Sequence, residues 1–294
     1  MAQLLKEYDA LAVGHGPAGC AAALYLCRAG LRVGIVGKDG GALAHAEKIE
    51  NYYGLERPLS GPELLETGRK QCAALGAELL EGEVISLEWR EDGTYRVILA
   101  DGSELRARAV LLATGKAKRV PDIKGIRDFE GRGVSYCAVC DAFFYRGRSA
   151  AVLGGGAYAK HEMEALLPLA QQVMLLTNAT TLEFEPPPEV QIYTSRVLGL
   201  EGEEKLSGVR LEDGILLPVE GLFVALGSAS AGDLAMKMGL RLNNGNIPVN
   251  DKQETDLPGL YAAGDCTGTF AQIAFAAAEG ARAGLAIIAF LREK

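Results

Sequence analysis

The chain has 294 residues, of which 37 are glycine, 11 are proline and six are cysteine. Its 30 basic and 38 acidic residues give a net charge of −8, which argues against nucleic-acid binding, since such proteins usually carry a basic face. No apolar run approaches the roughly 18 residues of a membrane span, and the N-terminus lacks the basic start and cleavage site of a signal peptide. We therefore expect a cytoplasmic protein of about two domains, in which six cysteines need a chemical explanation.

The first predicted unit is a strand, a glycine-rich turn and a helix. A short apolar strand over Tyr8–Val13 runs into GHGPAG, and an alanine-rich helix follows over Pro17–Ala29. This is the G-x-G-x-x-G dinucleotide fingerprint in its usual context. Gly14 makes the tight turn, Gly16 lets the backbone approach a pyrophosphate, and Gly19 lets helix and strand pack closely. The N–H groups at the start of the helix are then available to phosphates.

The second strand, Leu31–Val36, lacks the acidic residue that dinucleotide folds usually place at its end for the adenosine ribose. The chain continues there as Gly37-Lys38, so the ribose contact must come from elsewhere, and Asp39 is the candidate. His15 is either a polar loop residue or a contact to the bound cofactor.

The next segments complete the first domain. A helix is predicted near Pro62–Leu75, alternating strands over 82–99, and a buried strand over Ala109–Ala113 that ends in Thr114-Gly115. Residues 116–125 are basic and contain Pro121, which is typical of a linker.

The next chemical signal is CAVC, Cys137 to Cys140, followed by Asp141. A zinc site would need a second ligand pair, but the other four cysteines are scattered and the three histidines show no ligand spacing. Redox use is favoured, because a two-residue spacer allows a reversible disulfide and can lower one thiol pKa. Asp141 stands where it could move a proton to or from a thiolate.

A second glycine-rich turn, GGGAYA, follows a strand over Ala150–Leu153 and opens a helix that reaches about Ala170. It resembles a pyridine-nucleotide fingerprint of the G-x-G-x-x-A form. The strand after it, Gln172–Leu176, is followed by Thr177-Asn178, with neither the arginine of an NADP site nor the acidic residue of an NAD site. A scaffold that binds no cofactor is at least as consistent with these residues as a working site.

The remainder predicts a return to the first domain. A strand over Leu222–Leu226 precedes a polar segment, and Leu260–Gly264 with Asp265 leads into an apolar helix over about 271–291. We expect an α/β protein with two Rossmann-like, three-layer ββα-type nucleotide-binding domains, the second inserted in the first. The predicted boundaries are 1–115 with 250–294 for the outer domain and 119–245 for the inserted one.

Several strings across nearly the whole chain resemble the low-molecular-weight thioredoxin reductases. They are GxGPAG at Gly14, Ile49-Glu-Asn51, Ser60-Gly-Pro-Glu63, Ala113-Thr-Gly115, Gly131-Arg-Gly-Val134, CxxCD at Cys137, Phe143-Phe-Tyr145-Arg146, and Ala263-Gly-Asp265. The resemblance implies FAD in the outer domain, a redox disulfide in the inserted domain, a homodimer, and thioredoxin as substrate. It also implies that Cys140 faces the flavin, that Cys137 attacks the thioredoxin disulfide, and that Asp141 is the acid.

The predicted FAD-binding residues come from the first glycine loop, the strand ends and the start of the last helix. They are Gly14, Gly16, Pro17, Ala18, Gly19, Asp39, Asn51, Val84, Ala113, Thr114, Gly115, Gly264, Asp265, Gln272 and Ile273.

The chain departs from the NADPH-dependent members of this family. They carry a His-Arg-Arg cluster after the strand that ends here in Thr177-Asn178, and a basic helix where this chain has TTLEFEPPP. In lacking these features, and in having SYCAVC and Gly54, the chain resembles the ferredoxin-dependent flavin thioredoxin reductases more closely. An acidic ferredoxin would need a basic patch, and the candidates are Lys116, Lys118 and Arg119, or Arg146 and Arg148. For the first group, a solvated linker is the favoured interpretation.

We therefore predict an FAD-dependent thioredoxin reductase with ferredoxin as donor. The alternatives are an NAD(P)H-dependent reductase, a flavin-containing electron-transfer or sensor protein with another substrate, and a nucleotide-binding module with a structural zinc at the CxxC.

Overall fold

The computed structural model describes residues 6–116 and 122–293, and the chain forms two compact units. The first contains Met1–Lys118 and Ser230–Lys294, and the second contains Arg119–Ala229. The predicted return to the first domain at residue 250 was thus about 20 residues too late. Residues 230–245 belong to the first unit, where the Ala231 N–H donates to Thr114 Oγ1 at 2.8 Å and Lys237 Nζ donates to the Ile85 carbonyl at 2.9 Å. Lys118, Arg119 and Pro121 of the predicted linker lie outside the described residues.

The first unit begins with the predicted strand–turn–helix and continues through an antiparallel extension. Its elements are β1 (Lys6–Val13), α1 (Pro17–Arg28), β2 (Val33–Gly37), α2 (Gly61–Ala74), β3 (Glu78–Glu81), β4 (Val84–Trp89), β5 (Tyr95–Leu99) and β6 (Glu104–Leu112).

The second unit carries the CxxC and the second glycine loop. Its elements are β7 (Val134–Ser135), α3 (Ala138–Asp141), β8 (Ser149–Leu153), α4 (Ala157–Leu166), β9 (Gln172–Leu176), β10 (Gln191–Tyr193), β11 (Val197–Gly202), β12 (Leu206–Leu211), β13 (Leu216–Pro218) and β14 (Gly221–Val224). The chain then returns to the first unit with α5 (Ala231–Lys237), β15 (Leu260–Ala262) and α6 (Ile273–Arg292).

The first unit is built on a seven-stranded sheet of order β3-β2-β1-β6-β5-β4, with β15 paired to β6. The pairs among β3, β2, β1, β6 and β15 are parallel, and β4 and β5 form antiparallel pairs. Parallel strands need crossover connections, and α1 supplies the one between β1 and β2. This confirms the predicted α/β class and the first β-α-β unit.

The second unit has a parallel five-stranded sheet, β10-β9-β8-β14-β7, and an antiparallel three-stranded sheet, β11-β12-β13. Its core is formed by apolar residues of both sheets, among them Leu153, Leu176, Leu222 and Val209, each at most 1% exposed. The second glycine loop joins β8 to α4, as predicted.

The last helix, α6, corrects the expectation that no apolar segment approaches the length of a membrane span. By length and composition it could cross a membrane, with a mean hydropathy of 1.6 over 18 residues. One face, however, packs against α1: a Cβ at Gly280 would collide with the Ala18 carbonyl, and Gly284 lies against Ala22. Ala283 and Ile287 are fully buried in the same core. This face of α6 is part of the core, and its small residues allow close contact with α1, whereas Leu285 on the same helix is 55% exposed.

Candidate functional site

Three parallel strands of the first unit end side by side. Val13 of β1 lies opposite Leu112 of β6, and Leu112 lies opposite Ala262 of β15. The residues that follow these strand ends are Gly14, Ala113 and Ala263. In open α/β sheets, ligands bind in the crevice outside the carboxyl ends of the strands. The structure therefore brings the first glycine loop, Ala113–Gly115 and Gly264–Asp265 together at one edge.

The geometry of the first loop has the tight turn predicted at Gly14 and the close packing predicted at Gly19. Gly14 has φ +115°, and a Cβ there would collide with the Ala113 carbonyl, while a Cβ at Gly19 would collide with the Gly14 carbonyl. A Cβ at Gly16 would meet nothing within 4 Å. Gly16 caps α1 without a side-chain hydrogen bond, and Pro17 follows it, so the first-turn N–H groups face this open space. The loop thus fits a dinucleotide pyrophosphate.

The other candidate residues of the first unit lie around this edge. Thr114 Oγ1 accepts the Ala231 N–H, and Asn51 Nδ2 donates to Gln272 Oε1 at 3.2 Å, immediately before α6. Asp39 is exposed after β2, and its Oδ1 accepts the Gly41 N–H at 2.9 Å. Val84 is buried at the start of β4, opposite Leu99.

Gly264 and Asp265 are held by a carboxylate that sequence reasoning missed. Glu279 of α6 is 7% exposed, and its Oε2 accepts the Gly264 N–H at 2.7 Å and the Thr267 hydroxyl at 3.2 Å. Burial raises the pKa of Asp265; Lys116 lowers this pKa and Glu279 raises it further. The signal in the sequence was Glu279 itself, an acidic residue within a largely apolar helix, seven residues after Gln272.

The four free cysteines behave as small core residues. Cys20, Cys72 and Cys266 are buried, and their thiols hydrogen-bond backbone carbonyls, for example Cys266 Sγ to Ala263 O at 3.4 Å. Burial raises the pKa of Cys266 to about 12. Within residues 6–116 and 122–293, no three His, Cys, Asp or Glu side chains are grouped as metal ligands.

In the second unit, Cys137 and Cys140 form a disulfide with a Cα–Cα distance of 5.4 Å. Cys137 caps α3, and its Sγ accepts the Cys140 N–H at 3.1 Å. That N–H would stabilise a Cys137 thiolate after reduction, because hydrogen bonds to a charged form favour it. Cys137 is only 4% exposed, whereas Cys140 is exposed.

Asp141 is linked to Cys137 through one hydroxyl. Ser135 Oγ donates to Asp141 Oδ2 at 2.7 Å, and the same oxygen accepts the Cys137 N–H at 3.1 Å. Ser135 is buried, so this bridge fixes the orientation of the carboxylate beside the disulfide. In this position, Asp141 is able to exchange a proton near the sulfurs.

A second carboxylate reaches the CxxC from α4. Glu162 is 1% exposed, and its Oε2 accepts the N–H of Ala138, the first residue of α3. Sequence reasoning missed this contact. The signal was an acidic residue on the buried face of α4, at four-residue spacing between Tyr158 and Leu166.

Large apolar side chains surround the disulfide on the surface. Phe143 and Phe144 are 65% and 68% exposed, and Val139, between the two cysteines, is 59% exposed. Arg146 lies over the Phe143 ring at 5.2 Å from its centroid. Clustered exposed aromatics are typical of a protein-binding surface.

The second glycine loop repeats the backbone of the first but is covered. Gly154 has φ +152°, and a Cβ there would collide with the Ala225 carbonyl, as at Gly14. A Cβ at Gly155 would lie 2.6 Å from the Thr181 carbonyl, and one at Gly156 would lie 3.3 Å from Glu183 Oε2. The Glu183 N–H donates to the Gly155 carbonyl at 2.8 Å. The chain after β9 therefore occupies the approach to this loop and puts a carboxylate beside the start of α4.

The turn after β9 has no cation for an adenosine phosphate. Asn178 and Ala179 adopt left-handed conformations, with φ +53° and +59°. Asn178 Oδ1 accepts the Val197 N–H at 2.8 Å, so this side chain binds the first residue of β11. The residues that follow β9 thus form a turn with two left-handed residues, held to β11 by the Asn178 side chain.

Comparisons with known proteins extend over nearly the whole chain. A family model described as pyridine nucleotide-disulphide oxidoreductase matches residues 8–280. A thioredoxin reductase of Aquifex aeolicus (strain VF5) is 36% identical over 312 residues, covering 100% of this chain and 96% of that protein.

Two solved structures are similar over their whole length. The atypical thioredoxin reductase TRi from Desulfovibrio vulgaris Hildenborough has a TM-score of 0.91 and 38% identity, covering 97% of this chain and 98% of that one. A ferredoxin-flavin thioredoxin reductase from Clostridium acetobutylicum has a TM-score of 0.75 and 31% identity, covering 99% and 100%.

Proposed function

We propose a reaction for this chain from the premise that it belongs to the pyridine nucleotide-disulphide oxidoreductase family, and so binds FAD. The proposed activity is thioredoxin reduction through the Cys137–Cys140 pair, with a ferredoxin-type protein rather than NADPH as electron donor. The names of the relatives and the exposed aromatic surface beside the disulfide support the substrate. The observation that supports ferredoxin over NADPH as donor is that Thr181 and Glu183 cover the second glycine loop.

The open space at Gly16 and the uncapped start of α1 suit the FAD pyrophosphate. When bound, FAD would supply the redox chemistry, since a flavin can take up electrons singly or in pairs and deliver two to a disulfide. The residues at the strand ends, together with Asn51 and Gln272, would hold and orient it.

The disulfide chemistry is carried by residues of the second unit. Two electrons and two protons convert the Cys137–Cys140 disulfide into two thiols. One thiolate attacks the thioredoxin disulfide to form a mixed disulfide, and the other thiolate then displaces reduced thioredoxin and restores Cys137–Cys140. Asp141, oriented by Ser135, would take and return the proton at the sulfurs, and Glu162 would hold the first turn of α3.

The order of the two sulfurs is a prediction of its own. The Cys140 N–H beside Cys137 Sγ supports Cys137 as the thiolate that attacks thioredoxin. Cys140 is the more exposed sulfur, so this surface would have to open for that attack. We expect Cys137→Ser to leave flavin reduction intact and to abolish thioredoxin turnover. Unchanged turnover in this variant would remove the CxxC from the mechanism.

The donor proposal rests on an electrostatic and steric argument. A pyridine nucleotide brings a pyrophosphate to the start of the helix after the glycine loop. Here Glu183 presents a carboxylate beside Gly156, and Thr181 lies against Gly155. Both the space and the sign of charge therefore oppose NADPH.

A donor comparison tests this proposal directly. Stopped-flow absorbance would follow the flavin of the purified protein mixed with NADPH, NADH or reduced ferredoxin. We expect rapid bleaching only with ferredoxin. Bleaching by micromolar NADPH within milliseconds would instead identify an NAD(P)H-dependent reductase, and rapid bleaching without thioredoxin turnover would point to another disulfide substrate.

The docking surface for an acidic donor remains a proposal. Of the candidate arginines, Arg146 stacks on Phe143 and Arg148 pairs with Glu220 at 3.7 Å. Lys116 is exposed and lies close enough to Asp265 to lower the pKa of that carboxyl. Lys116 is thus a cation that acts on the strand-end edge of the first unit.

We also propose a homodimer. Apolar side chains of α1 and α6 are exposed, among them Tyr25 at 44%, Phe275 at 47% and Leu285 at 55%. A helix with one apolar face packed in the core and another in solvent is suited to a partner subunit. Light scattering coupled to size-exclusion chromatography would give the mass, and a monomer at micromolar concentration would contradict this proposal.

A further inference from the structure

The adenosine end of the first dinucleotide fold lacks its usual carboxylate, and the structure shows what stands there instead. Strand β2 ends at Gly37, and a Cβ at this position would lie 2.5 Å from Nδ1 of His15. The histidine of the glycine loop therefore fills the space above the end of β2. His15 is 5% exposed, so it is a buried part of this edge.

The ring of His15 is oriented by two contacts. Its Nε2 lies 2.6 Å from the Asp39 carbonyl oxygen, which accepts, so Nε2 carries the proton. Arg69 Nη2 lies 2.6 Å from both Nδ1 and Nε2, and because Nε2 carries the proton, Nδ1 is the ring nitrogen that can accept from the guanidinium. Burial and the Arg69 charge both lower the pKa of His15, which keeps the ring neutral and able to accept from the guanidinium.

Arg69 comes from α2 and is the cation available to a ligand here. The other cation after β2, Lys38, is neutralised by the buried Glu83 carboxylate at 2.7 Å. Among the described residues, Arg69 forms an ion pair with Glu81 at 3.4 Å, and the Glu81 side chain is 74% exposed. Solvent weakens such an exposed ion pair, so most of the guanidinium charge remains for a phosphate or ribose oxygen.

We propose that Arg69 binds the adenosine diphosphate half of FAD and that His15 is the residue that positions it. The guanidinium donates to oxygen atoms of this half, in place of the carboxylate that usually accepts from the ribose. Gly37 is needed for this arrangement, because any side chain at position 37 would displace the His15 ring.

The test measures retention of flavin rather than turnover, so it is independent of the donor and of the CxxC. Holoprotein is dialysed against FAD-free buffer, and the flavin that remains bound gives the affinity. We expect Arg69→Ala to weaken FAD binding about tenfold, the range of a hydrogen bond to a charged group. Lys70→Ala, at the neighbouring exposed lysine of α2, is the matched control and should retain FAD.

Two further measurements locate the contact. Displacement of FAD by ADP should show equal losses for both ligands in Arg69→Ala, because both carry the proposed contact. His15→Ala should weaken FAD binding and remove most of the effect of a second Arg69→Ala change, whereas His45→Ala, at an exposed histidine, should do nothing. The folding of each variant is checked by circular dichroism.

Three results would overturn the proposal. They are FAD retention by folded Arg69→Ala within twofold of wild type, a loss for FAD without a loss for ADP, and additive effects of His15→Ala and Arg69→Ala.

Discussion

The two glycine loops of this chain share a backbone and differ in what lies in front of it. In both, the first glycine has a positive φ and its missing Cβ faces a strand-end carbonyl, that of Ala113 for Gly14 and that of Ala225 for Gly154. In front of Gly16 there is open space, whereas Glu183 stands in front of Gly156. The glycine pattern therefore specifies how strand, turn and helix pack, and we expect the chain beyond the next strand to determine whether a nucleotide can enter.

The charges at the two loops differ in the same sense. The first loop is approached by the Arg69 guanidinium, through His15. The second is approached by the Glu183 carboxylate, and the residues directly after β9, 177–181, include no arginine. Since a dinucleotide brings a negatively charged pyrophosphate, space and electrostatics agree at each loop.

The largest expected effect comes from filling the open loop. Gly16 and Gly156 both cap their helices with negative φ, −77° and −98°, and ψ −172°, so valine fits either backbone. We expect Gly16→Val to weaken FAD binding at least 100-fold, about 2.7 kcal/mol, because the side chain enters the pyrophosphate space. Gly156→Val should retain FAD, since only the exposed Glu183 side chain must move. Flavin absorbance per protein measures both, and equal loss in the two variants would break the comparison.

The next effect concerns α4, the helix that follows the second glycine loop. Its Glu162 side chain binds the first residue of α3, beside the disulfide. Glu162→Ala leaves the buried Ala138 N–H without its acceptor, at a cost of about 1–3 kcal/mol. We expect a lower unfolding midpoint and a shifted thiol–disulfide equilibrium with glutathione, both partly restored in Glu162→Gln. Glu164→Gln, at an exposed residue of α4 paired with Lys160 at 3.9 Å, is the control. If Glu162→Ala behaves like this control, the carboxylate has no part in supporting the CxxC.

A smaller effect should follow from uncovering the second loop. Glu183→Ala removes the carboxylate beside Gly156, and we expect NADPH to bind about tenfold more tightly, equivalent to about 1.4 kcal/mol. Adding Asn178→Arg would restore a cation after β9. Quenching of NADPH fluorescence measures the affinity, and Glu185→Ala is the matched exposed control. An unchanged affinity in the double variant would show that Glu183 is not what opposes the nucleotide.

The smallest effect is a pH dependence in the helix that carries Arg69. The Ser60 backbone N–H, followed by the Arg57 guanidinium and the Ser60 hydroxyl, lowers the pKa of Glu63 from 4.5 to about 2. Because the folded-state pKa lies below the unfolded one, this carboxylate stabilises the fold fully above pH 4.5, and the contribution is lost as the pH falls to 2. Glu63→Gln should therefore lower the thermal midpoint slightly at pH 6 and not at pH 2. Glu66→Gln, at an exposed residue of α2 paired with Lys70, should show no such pH dependence.

The elements and the two loops could be predicted from the sequence because their signals are local. Glycines with positive φ, a proline at the start of α1 and buried strands are encoded within a few residues of where they act. The CxxC likewise needs only a two-residue spacer to close a disulfide. The same local reasoning missed the boundary at residue 230, because long-range contacts such as Thr114–Ala231 and Ile85–Lys237 place the following segment in the first unit.

The sequence by itself determined the α/β class, the open geometry of the first loop and the pair of cysteines that form the disulfide. The tertiary structure alone decided that Glu183 covers the second loop, that Glu162 and Ser135 hold the CxxC, and that His15 joins Arg69 at the end of β2. Several of these contacts join residues 24 to 54 positions apart, as with Glu162–Ala138 and Arg69–His15. Such pairs depend on how helices and strands pack, and no local pattern of residue types encodes that packing.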